Sequence, residues 1–272
     1  MSKVWFITGT SRGLGRAFAE SALERGDKVA ATARNVSAAD DLVNKYGGDA
    51  VLPLALDVTD KAAVATAVGT AHEKFGRLDV VVNNAGYGLF GMVEEITEQQ
   101  LRDQMETNLF GAFWVSQAVL PILRAQGSGH IVQVSSVGGI TAFPSLSAYH
   151  ASKWALEGFS ESLAQEVAGQ GIKVTVVEPG GFSTDWAGSS AAQAEPNPAY
   201  DQVREALAAR FGDARYADPA DAATALLQIV DAENPPLRVL FGTEPIEIIE
   251  PAYAQRLQTW ADWEHVSRIA QG

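Results

Sequence analysis

The chain has 272 residues, 20 basic against 33 acidic, for a formal net charge of −13, and it contains no cysteine. That balance argues against nucleic acid and anionic membranes as partners, since both are held by Lys and Arg neutralising phosphate. The missing cysteine rules out a disulfide scaffold, a thiolate metal site and a cysteine nucleophile. With 47% hydrophobic and 19% charged residues the composition is that of a globular protein, and the length predicts one large domain, 1–272. The apolar run from Val4 to Ile7 is far shorter than a signal-peptide core, and no stretch approaches about 18 apolar residues. A cytoplasmic protein is expected.

Short β-branched runs predict strands at 4–8, 28–33, 50–54, 78–82, 131–135, 173–177 and 238–241. Between them apolar residues recur at helical spacing, as at Val64, Val68, Ala71 and Phe75, or Leu156, Phe159, Leu163 and Val167. Thr97 with Gln100 forms a capping box, and Asp218 before Pro219 reads as an N-cap with proline at the first helical position. Such alternation predicts an α/β fold of the Rossmann type, a doubly wound parallel sheet of about seven strands with helices on both faces. The pattern breaks in residues 182–200, rich in Gly, Ser, Ala and Pro. This stretch follows the sixth strand's carboxyl end, where open α/β sheets bind ligands, so it is expected to be a substrate lid. In the tail, 243–272, Tyr253, Leu257, Trp260, Trp263 and Val266 share roughly one helical face, a stripe more often used for packing against the domain or a sister subunit than as a binding site, and its role is left open by the sequence.

After the first strand comes Gly9-Thr10-Ser11-Arg12-Gly13-Leu14-Gly15, then a helix. Glycines let the backbone approach a pyrophosphate, while the helix N-terminus offers free N–H groups and partial positive charge. A dinucleotide is the expected guest. Nineteen residues beyond Gly15 stands Arg34, where NAD-selective sites carry an acid for the ribose 2′-hydroxyl and an Arg instead accommodates the 2′-phosphate of NADP. Either Arg12 or Arg34 alone reads equally as a solvated surface charge. Together they favour NADP(H). His72, His130, His150 and His265 lack ligand spacing with any carboxylate cluster, so no metal is expected. Asn35-Val36-Ser37 fits the glycosylation pattern but is discounted in a cytoplasmic protein.

These motifs, followed in order by Asp57-Val58, Asn83-Asn84-Ala85-Gly86, Asn108, Ser135-Ser136, Tyr149-His150-Ala151-Ser152-Lys153 and Pro179-Gly180, resemble the short-chain dehydrogenase/reductase family from Val4 to about Thr184. The resemblance implies that Asp57 and Val58 hold the adenine and that the segment Asn83, Asn84, Ala85, Gly86 supports cofactor and sheet. It further implies that Pro179, Gly180, Phe182 and Thr184 meet the nicotinamide, and that subunits pair as a homodimer or homotetramer through the helices after the fourth and fifth strands. The tail beyond Phe241 runs longer than in many members.

Hydride transfer to or from a carbinol carbon leaves the protein to supply a proton and geometry. Tyr149 is the expected acid/base. Lys153, one helical turn on, shares its face, and an ammonium about 4 Å away is worth about the 4 kcal/mol needed to bring a phenol from pH 10 toward neutrality. Ser136 ends the fifth strand, where its hydroxyl can hold the substrate oxygen as charge develops, while Ser135 is expected to turn into the sheet. The resemblance implies that Asn108 anchors a water leading to Lys153; a helix-bending or packing Asn reads equally well. The His150 side chain should point roughly 100° away from Tyr149, toward substrate or surface. Tyr87, Val137, Phe143, Phe182 and Trp186 are the expected pocket lining, although Tyr87 and Phe182 read equally as core. With no Lys or Arg among them, a lipophilic or aromatic ketone, or the matching secondary alcohol, is the expected substrate. The rival reading is a redox sensor that holds NADP(H) without turnover, which would have no need of a proton donor.

Overall fold

In a computed structural model, residues 2–211 and 216–271 are described. Strands β1 (Val4–Thr8), β2 (Lys28–Ala33), β3 (Val51–Ala55) and β4 (Val80–Asn83) alternate with helices α1 (Gly13–Glu24), α2 (Asp40–Tyr46) and α3 (Lys61–Phe75). There follow β5 (Leu89–Phe90), α4 (Glu98–Met105), α5 (Gly111–Gln126), β6 (Gly129–Val134), α6 (Ser147–Val167) and β7 (Ile172–Pro179). Then come β8 (Ala192–Gln193), α7 (Asp201–Phe211), α8 (Pro219–Asp231), β9 (Arg238–Phe241), α9 (Glu244–Asp262) and α10 (Glu264–Gln271). The main sheet is parallel, in the order β3-β2-β1-β4-β6-β7-β9. Its seven strands are the seven read from the sequence, with ends displaced by a residue or two.

The sheet reads as continuous apolar runs because both faces are covered. In β1, Trp5 and Ile7 enter a core beneath α1, α2 and α8 with Phe18, Leu42 and Leu226. Val4 and Phe6 point the other way, into a core with Val64, Val68, Val115, Val119 and Leu163 from α3, α5 and α6. Strand order reverses between β1 and β4, opening a crevice at the carboxyl ends, the switch point where such sheets bind ligands.

Both expected caps form. The Thr97 hydroxyl accepts from the Gln100 N–H while Gln100 accepts from the Thr97 N–H, and Asp218 accepts from the Ala220 N–H. Residues 182–200 carry more order than their composition suggests. β8 pairs with β5, Leu89 against Ala192 and Phe90 against Gln193, forming a second parallel sheet too short to show a period in the sequence. The C-terminal stripe does not pack on its own domain: Leu257, Trp260 and Trp263 are each about 60% exposed. Past the middle of α9 the Arg256 guanidinium stacks 5.0 Å from the Trp154 ring of α6, and equally near Tyr253 of its own helix. Among the described residues, no helix is long and apolar enough to cross a membrane.

One buried core residue gives stability a pH dependence. His130 in β6 lies against the Thr175 hydroxyl at 2.9 Å, and burial, helped by Lys173 and Lys3, pushes its pKa down to about 4. The unfolded chain protonates near 6.5 and the folded chain resists until about 4, so stability is lost as pH falls through that window, by about 3 kcal/mol at most. Glu178, pushed up to about 7 by burial and by Glu157, acts with the opposite sign between pH 7 and the ordinary carboxylate range. The informative quantity is therefore the difference between the parent and His130→Gln in urea unfolding. The parent's advantage should shrink steadily from pH 7 to 4, and a constant difference would show that His130 is not held neutral.

Candidate active site

The crevice is a cleft of about 1300 Å³ along the carboxyl ends of β1, β2, β4, β6 and β7. Its floor is the glycine loop. Gly9 (φ 72°) and Gly13 (φ 61°) adopt left-handed backbone, and a Cβ on Gly9 would stand 3.0 Å from the Ala85 Cα. The loop is clamped to β4: the Thr8 hydroxyl accepts from the N–H groups of Asn84 and Ala85, and Asn84 Nδ2 donates to the carbonyls of Thr8 and Gly9 at 2.9 and 3.1 Å. Unlike α3, α4 and α8, helix α1 has no side-chain cap, and no acid stands in its first turn. Its free N–H groups and dipole therefore face the cleft with nothing to neutralise them. This cradle fits a pyrophosphate.

Ser11, Arg12, Gly13 and Leu14 line this floor, with Ala85, Gly86 and Tyr87 on the β4 side and Pro179, Gly180, Phe182 and Thr184 beyond β7. Arg34, Asp57 and Val58 line the far end. Asp57 caps its own turn, accepting from the Thr59 N–H and hydroxyl, and buried Val58 fills the gap left by Gly111, where a Cβ would lie 2.6 Å from it.

Two residues expected to touch the cofactor, Asn83 and Gly15, lie outside the cleft lining, and a third, Arg12, turns away from Arg34. Asn83 is buried away from the cleft, where its amide donates to the Ala112 carbonyl at 3.3 Å and to Ser116 Oγ at 3.2 Å, tying β4 to α5. Gly15 sits beneath the loop, where a Cβ would be 2.3 Å from Asn84 Nδ2 and 2.4 Å from the Gly9 carbonyl oxygen, so it is a packing glycine. Arg12 lines the cleft but does not join Arg34. It reaches the 182–200 segment, pairing with Asp185 Oδ2 at 2.7 Å and Ser189 Oγ at 3.2 Å. The Ser189 hydroxyl and N–H and this guanidinium hold the Asp185 carboxyl below its ordinary range. Arg34 is exposed and forms no ion pair with another described residue.

At the other end, α6 opens with Tyr149 and carries Lys153 on the same stripe, both about 6% exposed. Ser136 follows β6. Its hydroxyl accepts from the Gly138 N–H at 3.0 Å and also hydrogen-bonds with the Tyr149 phenol. Trp186 meets the Tyr149 ring edge-on at 5.0 Å and Phe90 at 5.4 Å, closing the site with apolar surface. Val137 and Phe143 complete the wall.

The electrostatics differ from expectation. Lys153 Nζ donates to the Val134 carbonyl at 2.8 Å and lies 5.8 Å from the Tyr149 ring centre. Burial pushes the phenol up to about 12, with the Ser136 hydrogen bond pulling the other way, and the same burial pushes Lys153 down to about 8 against the pull of Glu157. Desolvation penalises whichever form is charged, and on the phenol it outweighs the Ser136 hydrogen bond. Tyr149 therefore holds its proton at neutral pH.

Asn108 serves as both a bend and an anchor. It lies in a wide π turn, Glu106–Phe110, between α4 and α5, which swings its buried amide inward. There Oδ1 accepts from the Tyr87 N–H at 3.1 Å, and Nδ2 donates to the Tyr87 carbonyl at 3.0 Å and to Ser152 Oγ at 3.1 Å. It thus fixes the backbone beside Gly86, where a Cβ would be 3.0 Å from Asn108 Oδ1 and 3.7 Å from Lys153 Nζ. His150 is not at the surface but in the wall of the cleft. It is buried, its Nδ1 2.8 Å from the Gly138 carbonyl and its Nε2 accepting from the Phe143 N–H at 3.0 Å, so the ring staples two points of the connection that runs from Ser136 to α6.

The sequence reading missed the parts of the cleft furthest away in the chain. Leu207 of α7 and Pro245 and Ile248 of α9 line it, so the tail's first turn belongs to the site. Arg204 also lines it, a cation absent from the expected lining, but its guanidinium is engaged by Glu95 and Asp201.

Residues 3–195 match the family described as short chain dehydrogenase. The chain is a short-chain dehydrogenase/reductase. Like other members of this family it is an oxidoreductase built for a nicotinamide cofactor. This short-chain dehydrogenase is 51% identical over 250 residues to the oxidoreductase BOA17 of Botryotinia fuckeliana, covering 91% of each chain. Among solved structures it is similar to a short-chain dehydrogenase of Streptomyces avermitilis, with a TM-score of 0.93, 42% identity and coverage of 99% and 98% of the two chains. It is also similar to a short chain dehydrogenase of Burkholderia cenocepacia in complex with NADP, with a TM-score of 0.76, 28% identity and coverage of 96% and 97%.

Proposed function

We propose that this chain is an NADP(H)-dependent reductase that interconverts a lipophilic or aromatic ketone and its secondary alcohol, with Tyr149 as acid/base. The observation that carries the reading is the convergence of Tyr149, Ser136 and Lys153 at one end of a cleft whose other end is a phosphate cradle. Bound nicotinamide would supply or accept the hydride. Tyr149, protonated at neutral pH, gives its proton to the substrate oxygen. Ser136 holds that oxygen as charge builds, and Lys153 favours the phenolate left behind. A sensor would need no such proton donor.

The unpaired Arg34 supports NADP(H), since a guanidinium can hold two phosphate oxygens and nothing else among the described residues claims it. Arg34→Asp should weaken NADPH binding about 10-fold or more and NADH binding far less, read by nucleotide fluorescence titration. An unchanged preference would remove the 2′-phosphate assignment. The aromatic walls, with Arg204 neutralised, support a lipophilic substrate and residues 182–200 as its lid. A panel of ketones followed by NADPH absorbance tests the activity, and no turnover with any of them would favour the sensor. Exposed Phe110, Phe113 and Trp154 on and beside α5 and α6 support pairing of a cytoplasmic homodimer or homotetramer through these helices.

A further inference from the structure

Behind the active site lies a buried charge cluster that the reaction as described does not use. The stripe of α6 that begins with Tyr149 and Lys153 continues at Glu157 and Glu161, each one helical turn further on. Glu157 is about 5% exposed, Glu161 lies at the surface, and Glu178 of β7 faces Glu157 from the sheet at 3% exposure. Arg238 of β9 binds the group together, with Nε 3.0 Å from Glu157 Oε2 and 3.7 Å from Glu178 Oε1, and Nη2 2.7 Å from Glu161 Oε2. The Ser135 hydroxyl lies on the other side, and a Cβ on Gly139 would touch both Ser135 Oγ and Glu157 Oε1. The groups facing Glu157 are therefore Lys153 and Glu161 on its own helix, Glu178, Arg238 and Ser135.

We propose that Glu157 is a positioning residue for Lys153, the buried counter-charge one turn behind it that keeps the ammonium protonated inside the core, with Arg238 and Ser135 holding the carboxylate in place. The proposal rests on the assignment of Tyr149 and Lys153 above. Lys153 has no direct ion pair among the described residues; its one hydrogen bond goes to the neutral Val134 carbonyl. A cation this deep is costly unless an opposite charge is near, and through a poorly screening interior the nearest carboxylate of its own helix acts without contact. Glu157 is the one charge that pushes the Lys153 pKa up. Burial pushes both buried carboxyls up, Glu178 to about 7 with Glu157 adding to it, but Glu157 is pulled back by Ser135, by its 3.0 Å contact with Arg238 and by Lys153, whereas Glu178 stands 3.7 Å from that guanidinium, so of the two Glu157 is the better placed to carry the charge. The cluster thus delivers negative charge to the back of Lys153 while Glu178 takes up the excess proton.

The test follows Lys153 itself. In protein carrying 13C,15N-lysine, the side-chain resonance of Lys153, identified among the seven lysines by its loss in Lys153→Met, is titrated with pH. In Glu157→Gln, which keeps the shape and an acceptor for Arg238, the midpoint should fall by about one pH unit, and in Glu157→Asp by less. The basic limb of the ketone-reduction profile should move the same way, with KM little changed. A Lys153 midpoint that stays where it was in both folded variants would overturn the proposal and leave Glu157 as a pin between α6 and β9. Should Glu157→Gln not fold, Glu157→Asp alone decides by the same midpoint. The titration needs no substrate, so a parent that reduces no ketone would defeat the functional assignment without touching this result.

Discussion

Tyr149→Phe is expected to lower the rate of ketone reduction by about 10²–10⁴-fold, the range ordinarily supplied by a positioned general acid, while NADPH affinity stays within about two-fold. The phenol stands at the opposite end of the cleft from the glycine loop, so losing one hydroxyl leaves the phosphate cradle intact. The ring itself remains, with its edge-on contact to Trp186, so the packing there is retained. What disappears is the one proton donor that Ser136 hydrogen-bonds beside the substrate position. Stopped-flow absorbance of NADPH oxidation separates the chemical step from binding. A rate within ten-fold of the parent would show that the proton comes from elsewhere, and the role of Tyr149 would be withdrawn.

Gly15→Ala should do comparable damage by a different route. Its Cβ would stand 2.3 Å from Asn84 Nδ2 and 2.4 Å from the Gly9 carbonyl oxygen, and the second of these is backbone that cannot rotate out of the way. Relieving the clash means lifting α1 from the loop or breaking the Asn84 clamp on Thr8 and Gly9. Overpacking of this kind costs about 1–3 kcal/mol of stability. Because the loop is the cradle, NADPH binding should fall by about 10²-fold, larger than any effect on unfolding would explain in protein that remains native. Calorimetric titration with NADPH, alongside urea unfolding, gives both numbers. Unimpaired binding in this variant would mean that the loop does not hold the pyrophosphate. By contrast, Gly69 in α3 has open space where its Cβ would be, which marks it as a suitable control substitution.

The strands were legible because a parallel strand covered on both faces has no polar alternation to obscure it, as Val80, Val81 and Val82 illustrate. Gly9 to Gly15 and Tyr149 to Lys153 were legible because each group lies on one local element, so spacing along the chain is spacing in the molecule. What could not be read depends on distant partners. Arg12 pairs with Asp185, 173 positions away, so its own surroundings in the sequence could not reveal that it reaches that carboxylate rather than Arg34. Asn83 and Asn84 are adjacent in the chain yet turn to opposite sides of the strand end, one into α5 and one onto the glycine loop. The direction of the Tyr149 shift was missed for a related reason. The i, i+4 relation to Lys153 is local, but the burial that raises the phenol depends on distant chain, with Trp186 edge-on to the ring at 5.0 Å.

The wide turn at Glu106–Phe110 limits how this chain can vary. Five residues complete a loop of backbone that a regular helix would close in about four, so α4 and α5 differ in phase by one residue. Losing any single position there would restore an unbroken rod, rotate Asn108 by about 100° off the Tyr87 backbone, and leave α5 with a new face toward Val58. Exposed loops can gain or shed residues freely; this helix has a fixed count, set by the amide it must hold inward.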